Sequence, residues 1–554
     1  MEHTETQIEK VSRWIEKVTL NDIPEEVTKL AKFQSVDCIS AICAGHRSHI
    51  GQKIYQGFKR KNETGDILIL STGELWCLKD SVYYHSAMIN ALEMDNFSFM
   101  GHLSQSAFST AWAMAYRNNI SFENFLLASI VAQEVSGRLS AYLSSGPLQG
   151  HMRSFIHRVA GAVVVTKIYG CEASVIANAI AIALSGPEFY MIPSSFSADT
   201  KVTSTSSATI EGINSGFLAM EGATGALDIL EHPAGFVAMF SYLNFVPEFW
   251  RKIGSTWVME SISFKYYASC GYAQGPVNAA LSLKKRYPRI ELDEIEEIDV
   301  YTPLLSVVLE NFSIPHYRSG LTQVNVNFST KRSLALAILY GEPNGDFFGH
   351  QELETHYEAI EKLAQKIRIR HSWKLTIEMI KGFDKSINYP GYPGVFGMSD
   401  SQKALKRTRQ VYQNRSLFEW HDIVQLATLP KGYFSYLFLR YFNSLKGKYI
   451  YKNKKSHEQD LSKMEFKIGA EVIIRFKNGT EAKDSCDIPR GFAGDKDKLH
   501  AVIEKFDRET FAVLGEDKAL KIKNLFLYTG NQKFKVLIDD IFKIIRTETF
   551  IKHH

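Results

Sequence analysis

The side chains best equipped for chemistry are imidazoles and ammonium groups placed where no standard motif announces them. Histidine is the natural acid/base near neutral pH, and His102 and His151 each stand within a helix-rich stretch. Lysines such as Lys201 and Lys265 can hold a carboxylate or spread developing negative charge. Taken singly, a histidine near a helix start is more often structural than catalytic, and a lone lysine is usually solvated. The familiar signatures are absent. There is no phosphate loop of the form G-x-x-x-x-G-K-[ST], no dinucleotide G-x-G-x-x-G after a strand, no H-E-x-x-H and no G-x-S-x-G elbow. The six cysteines, at 38, 43, 77, 171, 270 and 486, show no C-x-x-C spacing. A disulfide framework is unusual in a chain of this size, and an iron–sulfur cluster does not fit such scattered thiols.

The elements that must position these groups fit in 554 residues, enough for two to four domains. Apolar residues make up 45% and charged residues 22%, an ordinary globular composition. The net charge of +4 is too balanced to mark a nucleic-acid binder. Met1 to Trp14 contains no apolar targeting core, and the longest apolar runs reach about seven residues against the ~20 that a membrane span needs. These features imply a soluble cytoplasmic protein with no membrane or nucleic-acid partner.

The first half reads as successive helices over 8–18, 23–42, 81–92, 108–116, 122–143, 159–169, 173–184 and 210–230, with apolar residues at three- and four-residue spacing. Frequent small residues suit close helix packing in a bundle. Near residue 262 the character changes. Residues 295–302 read as a half-solvated strand and 367–369 as a short one. Residues 276–285 and 329–339 read as helices. Residues 471–476 and 481–485 flank Asn478-Gly479 and read as a hairpin with a tight two-residue turn. Residues 498–506 and 517–525 are helical again. The expected division is a helical domain over 1–262, an α+β lid over 263–489, and C-terminal helices over 490–554 returning to the first domain. Residues 403–463 form a basic, aromatic insertion with thirteen Lys or Arg against four acids, including an aromatic helix candidate at 433–445. A solvated surface and a dock for an anionic partner both fit it.

Six segments, in order, resemble the MmgE/PrpD family. Residues 90–102 (NALEMDNFSFMGH) are similar to its acidic stretch ending in histidine, and 132–139 (AQEVSGRL) to its E-x-x-x-R helix. Gly150-His151 ahead of Gly161-Ala162 resembles the G-[FW]-H and small-residue helix. Thr200-Lys201 with 212–225 (GINSGFLAMEGATG) resembles T-K and its following helix. Phe264-Lys265-Tyr266-Tyr267 resembles F-K-x-[YF]-P. Residues 326–339 with Gly341, and 472–491, resemble the later helix and the closing hairpin. The likeness covers most of 8–395 and about 465–530.

The resemblance implies a mainly α fold, with an all-helical domain and an inserted α+β lid. It also implies a homodimer and a metal-free, cofactor-independent site in the cleft. The implied chemistry is proton movement next to a carboxylate of a small organic acid, with dehydration, decarboxylation or epimerisation. It assigns His151, His102, Glu93 and Asp95 to acid/base work, and Lys201 and Lys265 to substrate carboxylates. Arg332 stands where the family has a tyrosine and Gln274 where it has a histidine; both are expected to face substrate. Ala268 replaces a proline, while Phe97 and Leu103 replace polar or rigid residues. These departures admit an altered substrate. They also leave open a biosynthetic enzyme reusing the cleft for cyclisation or dehydration, with a carrier protein at the basic insertion, or a non-catalytic binding protein.

Overall fold

Thr6 opens the first helix, Gln7–Lys17, through a reciprocal cap. Its hydroxyl accepts from Glu9 N, and Glu9 returns a carboxylate to Thr6 N at 2.8 Å. The computed structural model describes residues 5–99, 101–143, 154–186, 191–196, 198–241, 245, 247–288, 292–311, 322–386, 420–436 and 460–546. The helix Glu25–Arg47 is buried continuously from Gln34 to Gly45. Leu78–Asn90, Ser104–Arg117 and Phe122–Leu143 pack against it, and Ser154–Ile168, Ala173–Ser185 and Ser206–Met220 pack on one another, with Ser154–Ile168 also against Ser104–Arg117 and Phe122–Leu143. Glycine sets the closest approach. A Cβ on Gly212 would lie 2.0 Å from the Arg158 carbonyl oxygen, so Ser154–Ile168 and Ser206–Met220 meet backbone to backbone.

The chain returns to this domain at its far end. Lys498–Leu514 packs along Glu25–Arg47. Beyond it, Phe526 and Phe534 join Trp112, Phe122 and Phe125, with Phe125 and Phe534 stacked at 4.5 Å between ring centroids. The second unit is built on a four-stranded sheet in the order Ile367–His371, Ile295–Thr302, Ala470–Phe476, Glu481–Cys486. Its first pair is parallel and the other two are antiparallel, with Val300 opposite both Ile369 and Val472. A small antiparallel ladder, Asn96–Phe97 with Ser263–Phe264, stitches the two units together. The molecule is therefore mainly α, a helical domain with a smaller α+β domain. Among the described residues no helix is long and apolar enough to cross a membrane.

Three expectations for local structure change. The helix expected over 210–230 ends at Met220, because Gly222 adopts φ 88° and turns the chain away. The helix expected from Pro276 begins earlier, at Gly271, with Pro276 inside it. The hairpin closes through Phe476 N donating to Thr480 O, which leaves a three-residue loop, 477–479, rather than two. Gly479 takes the left-handed position at φ 83° that such a loop requires. Of the helix candidate at 433–445, residues 433–436 are helical and the rest lies outside the described residues.

Candidate active site

The helix Leu78–Asn90 delivers the first half of the site. Asn90 donates to the main-chain oxygens of Lys201 and Val202 at 3.0 and 3.2 Å. Lys201 Nζ donates back to Asn90 O at 2.7 Å and Oδ1 at 2.8 Å. This fixes the ammonium against the turn that follows the helix. Glu93 sits in that turn at φ 56°, a left-handed conformation uncommon for a non-glycine residue. Its carboxylate pairs with Lys201 through Oε1 and accepts from Lys265 through Oε2 at 2.7 Å. Lys265 leaves the small ladder beside Phe264 and also donates to Asp95 Oδ1 at 2.7 Å. Asp95 Oδ2 accepts from His102 Nδ1 at 2.5 Å and from Gln105 at 3.1 Å.

The result is a chain of alternating charge: Lys201, Glu93, Lys265, Asp95, His102. The first four are buried, and the His102 side chain is 25% exposed, so the chain opens to solvent at the imidazole. Burial alone would raise the Glu93 carboxyl, but Lys201 and Lys265 outweigh it and hold the pKa down to about 2. Asp95 is likewise held well below the usual carboxylate range, burial being outweighed by Lys265 and His102. Lys265 is held up by the same two carboxylates against its own burial. Both acids are ionised at neutral pH. Asp95 therefore keeps a proton on His102 Nδ1.

An apolar wall flanks the imidazole. The Phe97 ring lies 5.8 Å from His102, 4.9 Å from Phe466 and 5.2 Å from Phe492, between centroids. Under the ladder lies a second buried charge. Lys505 Nζ, on the returning helix, donates to Met94 O at 2.7 Å and Lys265 O at 2.9 Å, and pairs with Asp37 at 2.5 Å. Asp37 also accepts from Asn96 at 2.9 Å. Lys505 thus clamps the main chain beside both site carboxylates and at the site lysine.

Of the eight side chains singled out from sequence, Glu93, Asp95, His102, Lys201 and Lys265 come together. His151 lies outside the described residues. Arg332 pairs with Glu361 on the neighbouring helix and donates to Asn325 O at 3.5 Å. Gln274 is buried, accepts from Tyr267 N, and donates to Tyr267 O and Ser269 O. It therefore shapes the turn after Lys265. Three nearby groups escaped the sequence reading. His157, buried on Ser154–Ile168, bonds Ser106 at 2.9 Å. Burial, with His102 in second place, pushes it down to about 3, so it is neutral. Cys270 lies in the field of Glu93, Lys265 and Lys201, and burial pushes its thiol up. Lys505 gave no local signal at all. Away from this site, Glu63, Cys77 and Asp80 bring metal-ligating atoms together, but Lys61 already bonds Asp80 at 2.5 Å.

These features define a class: a mainly helical protein whose α+β unit closes on a buried carboxylate–lysine network ending in a solvent-facing histidine. Residues 9–245 match the family model of the MmgE/PrpD N-terminal domain. It is 24% identical over 298 residues to a cis-aconitate decarboxylase of Aspergillus terreus (strain NIH 2624 / FGSC A1156), a match covering 51% of this chain and 61% of that protein. A second cis-aconitate decarboxylase of Aspergillus terreus is 25% identical over 312 residues, covering 52% and 64%. A Homo sapiens cis-aconitate decarboxylase is 27% identical over 206 residues, covering 35% and 42%. The chain thus matches about three-fifths of the length of the Aspergillus relatives.

Proposed function

We propose that the chain is a lyase or isomerase acting, without a cofactor, at a carbon next to a carboxylate of a small organic acid. The observation that carries this is the charge chain from Lys201 to His102. Asp95 fixes the tautomer of His102, so Nε2 removes or returns a proton at carbon. Lys265 and Lys201 supply the positive charge that a substrate carboxylate, and the enediolate formed from it, need for stabilisation. In a dehydration the carbon–hydrogen electron pair becomes the new double bond and hydroxide leaves with a proton as water. In a decarboxylation the carbon–carbon pair stays on the α-carbon when carbon dioxide leaves, and protonated His102 delivers the replacement proton. The cis-aconitate decarboxylase relatives support this reading.

The test is deuterium exchange. Candidate di- and tricarboxylates are incubated with the protein in D₂O and followed by NMR, beside His102→Ala. A productive acid should exchange or turn over, and His102→Ala should lower the rate by roughly 10²–10⁴-fold. Unchanged exchange in a folded His102→Ala protein would remove His102 from the mechanism. The Phe97, Phe466 and Phe492 wall favours a second reading on the same cleft: dehydration or cyclisation of a larger, less charged acid. It predicts turnover only with substrates carrying an apolar body.

A further inference from the structure

The short helix Gln323–Asn327 stands beside the cleft and carries two buried amides with unpaired oxygens. Gln323 Nε2 donates at 2.7 Å to the main-chain oxygen of Ala91, two residues before Glu93. The main-chain oxygen of Asn327 accepts from Cys270 N at 2.7 Å. The Phe328 ring that follows lies 5.3 Å from Lys201 Nζ. These contacts hold the helix against the turn of Glu93 on one side and the turn after Lys265 on the other. Gln323 and Asn327 are four residues apart, so their side chains share one face of the helix. Gln323 is 2% exposed and Asn327 1%. A carbonyl only accepts, so the Ala91 bond fixes the Gln323 amide with Nε2 on Ala91 and leaves Oε1 unpaired. Asn327 Oδ1 is unpaired as well.

Elsewhere buried amides find partners. Gln34 and Gln133 bond each other, and Gln274 bonds Tyr267 and Ser269. Among the described residues five side-chain amides keep a buried atom unpaired: Gln105, Gln323, Asn325, Asn327 and Gln532. Gln105 donates to Asp95 and the next three share the short helix, so four of the five fall at the site or on this helix. Methionine or leucine would fill the same space and leave no acceptor unpaired, so an acceptor retained here points to a ligand. The group that fits carries a hydrogen. An ammonium would stand beside Lys201 and be repelled, and a carboxylate would set its oxygens against Gln323 Oε1. A hydroxyl is neutral and donates. We propose that Gln323 and Asn327 are specificity-determining residues that bind a hydroxyl carried by the substrate beside its carboxylate. Gln323 Oε1 accepts the hydroxyl proton, and the Asn327 amide supplies the second contact, through Oδ1 or, turned over, through Nδ2. The assignment rests on the function proposed above and narrows it. Lys201 and Lys265 hold the carboxylate, the short helix reads the hydroxyl, and a hydroxy acid is preferred to the same acid without the hydroxyl.

The test is isothermal titration calorimetry of the full chain with acids paired so that they differ by one hydroxyl: malate and succinate, citrate and tricarballylate, 3-phenyllactate and 3-phenylpropionate. Gln323→Met and Asn327→Leu are measured beside the parent, since each stays close to the original volume and removes the acceptor. In the best-bound pair the parent should prefer the hydroxy acid by about tenfold or more, and either variant should lower that preference below about threefold while binding the hydroxyl-free acid as before. The thermal midpoint of Asn327→Leu should hold or rise, because an unpaired acceptor leaves the interior. A fallen midpoint with the preference intact assigns Asn327 a structural role and overturns the proposal. Equal binding of both members by the parent also overturns it, by giving the amides to water. If the hydroxyl-free acid then still exchanges deuterium in a His102-dependent way, the proposed function stands and this assignment alone falls. Binding of no acid from any pair removes both.

Discussion

Replacing Lys265 by methionine keeps the length of the side chain and removes the central cation of the site. The ammonium is fully buried and serves Glu93 and Asp95 at 2.7 Å each. Removing one partner of a buried ion pair costs about 3–5 kcal/mol, because the remaining charge is left without compensation. Glu93 keeps Lys201 and Asp95 keeps His102, which places the expected loss near the low end, about 3 kcal/mol. The parent protein has a complementary acid limb. Glu93 is held at about 2 against an ordinary 4.5, a difference worth roughly 3 kcal/mol. A depressed carboxyl stabilises the fold above its unfolded value, so this contribution is present above about 4.5 and fades as pH falls toward about 2. Urea unfolding followed by far-ultraviolet circular dichroism at pH 8, 5.5 and 4 measures both effects. Lys265→Met/Asp95→Asn, which restores the charge balance, should recover at least half of the loss at pH 8. A loss under about 1 kcal/mol for the single variant, or a double variant no better than the single, would refute the claim that these charges compensate one another.

Lys505→Met should destabilise by about 3 kcal/mol and loosen the segment around Met94, whereas Lys505→Met/Asp37→Asn should be milder, since burial already pushes the Asp37 carboxyl up; urea midpoints and amide exchange at residues 94–97 decide it. Gly212→Ala should cost about 1–3 kcal/mol, because the new methyl meets the Arg158 carbonyl oxygen, and it should appear as a lower thermal midpoint. Arg332→Ala should weaken the contact between Thr330–Tyr340 and His350–Ala364 and leave the binding of a turned-over acid unchanged, because its guanidinium is engaged by Glu361. A raised KM in that variant would place Arg332 in the substrate's path instead.

Period and composition carried the fold class. Helices such as Phe122–Leu143 read directly from three- and four-residue spacing, and the strands around Val300 and Val472 from alternation. Chain direction within the turns was less legible. Gly222 and Gly479 act through positive φ, a backbone property that side-chain spacing does not reveal. His157 was passed over because a histidine among Phe155, Ile156 and Val159 looks like part of an apolar face. Cys270 was passed over because its chemistry depends on charges up to 177 positions away in sequence, those of Lys201, Lys265 and Glu93.

By itself, the sequence determined the residue types of the site: two carboxylates, two lysines and a histidine in segments resembling one family. Their order along a single line of charge was decided by tertiary structure. The ladder pairs Asn96 with Phe264, and only that pairing brings Lys265 between Glu93 and Asp95. Lys505 reaches the same place from the returning helix, 411 positions from Met94. The physical reason is that local propensity acts over a few residues, whereas a buried charge is tolerated only where the whole fold supplies its partners.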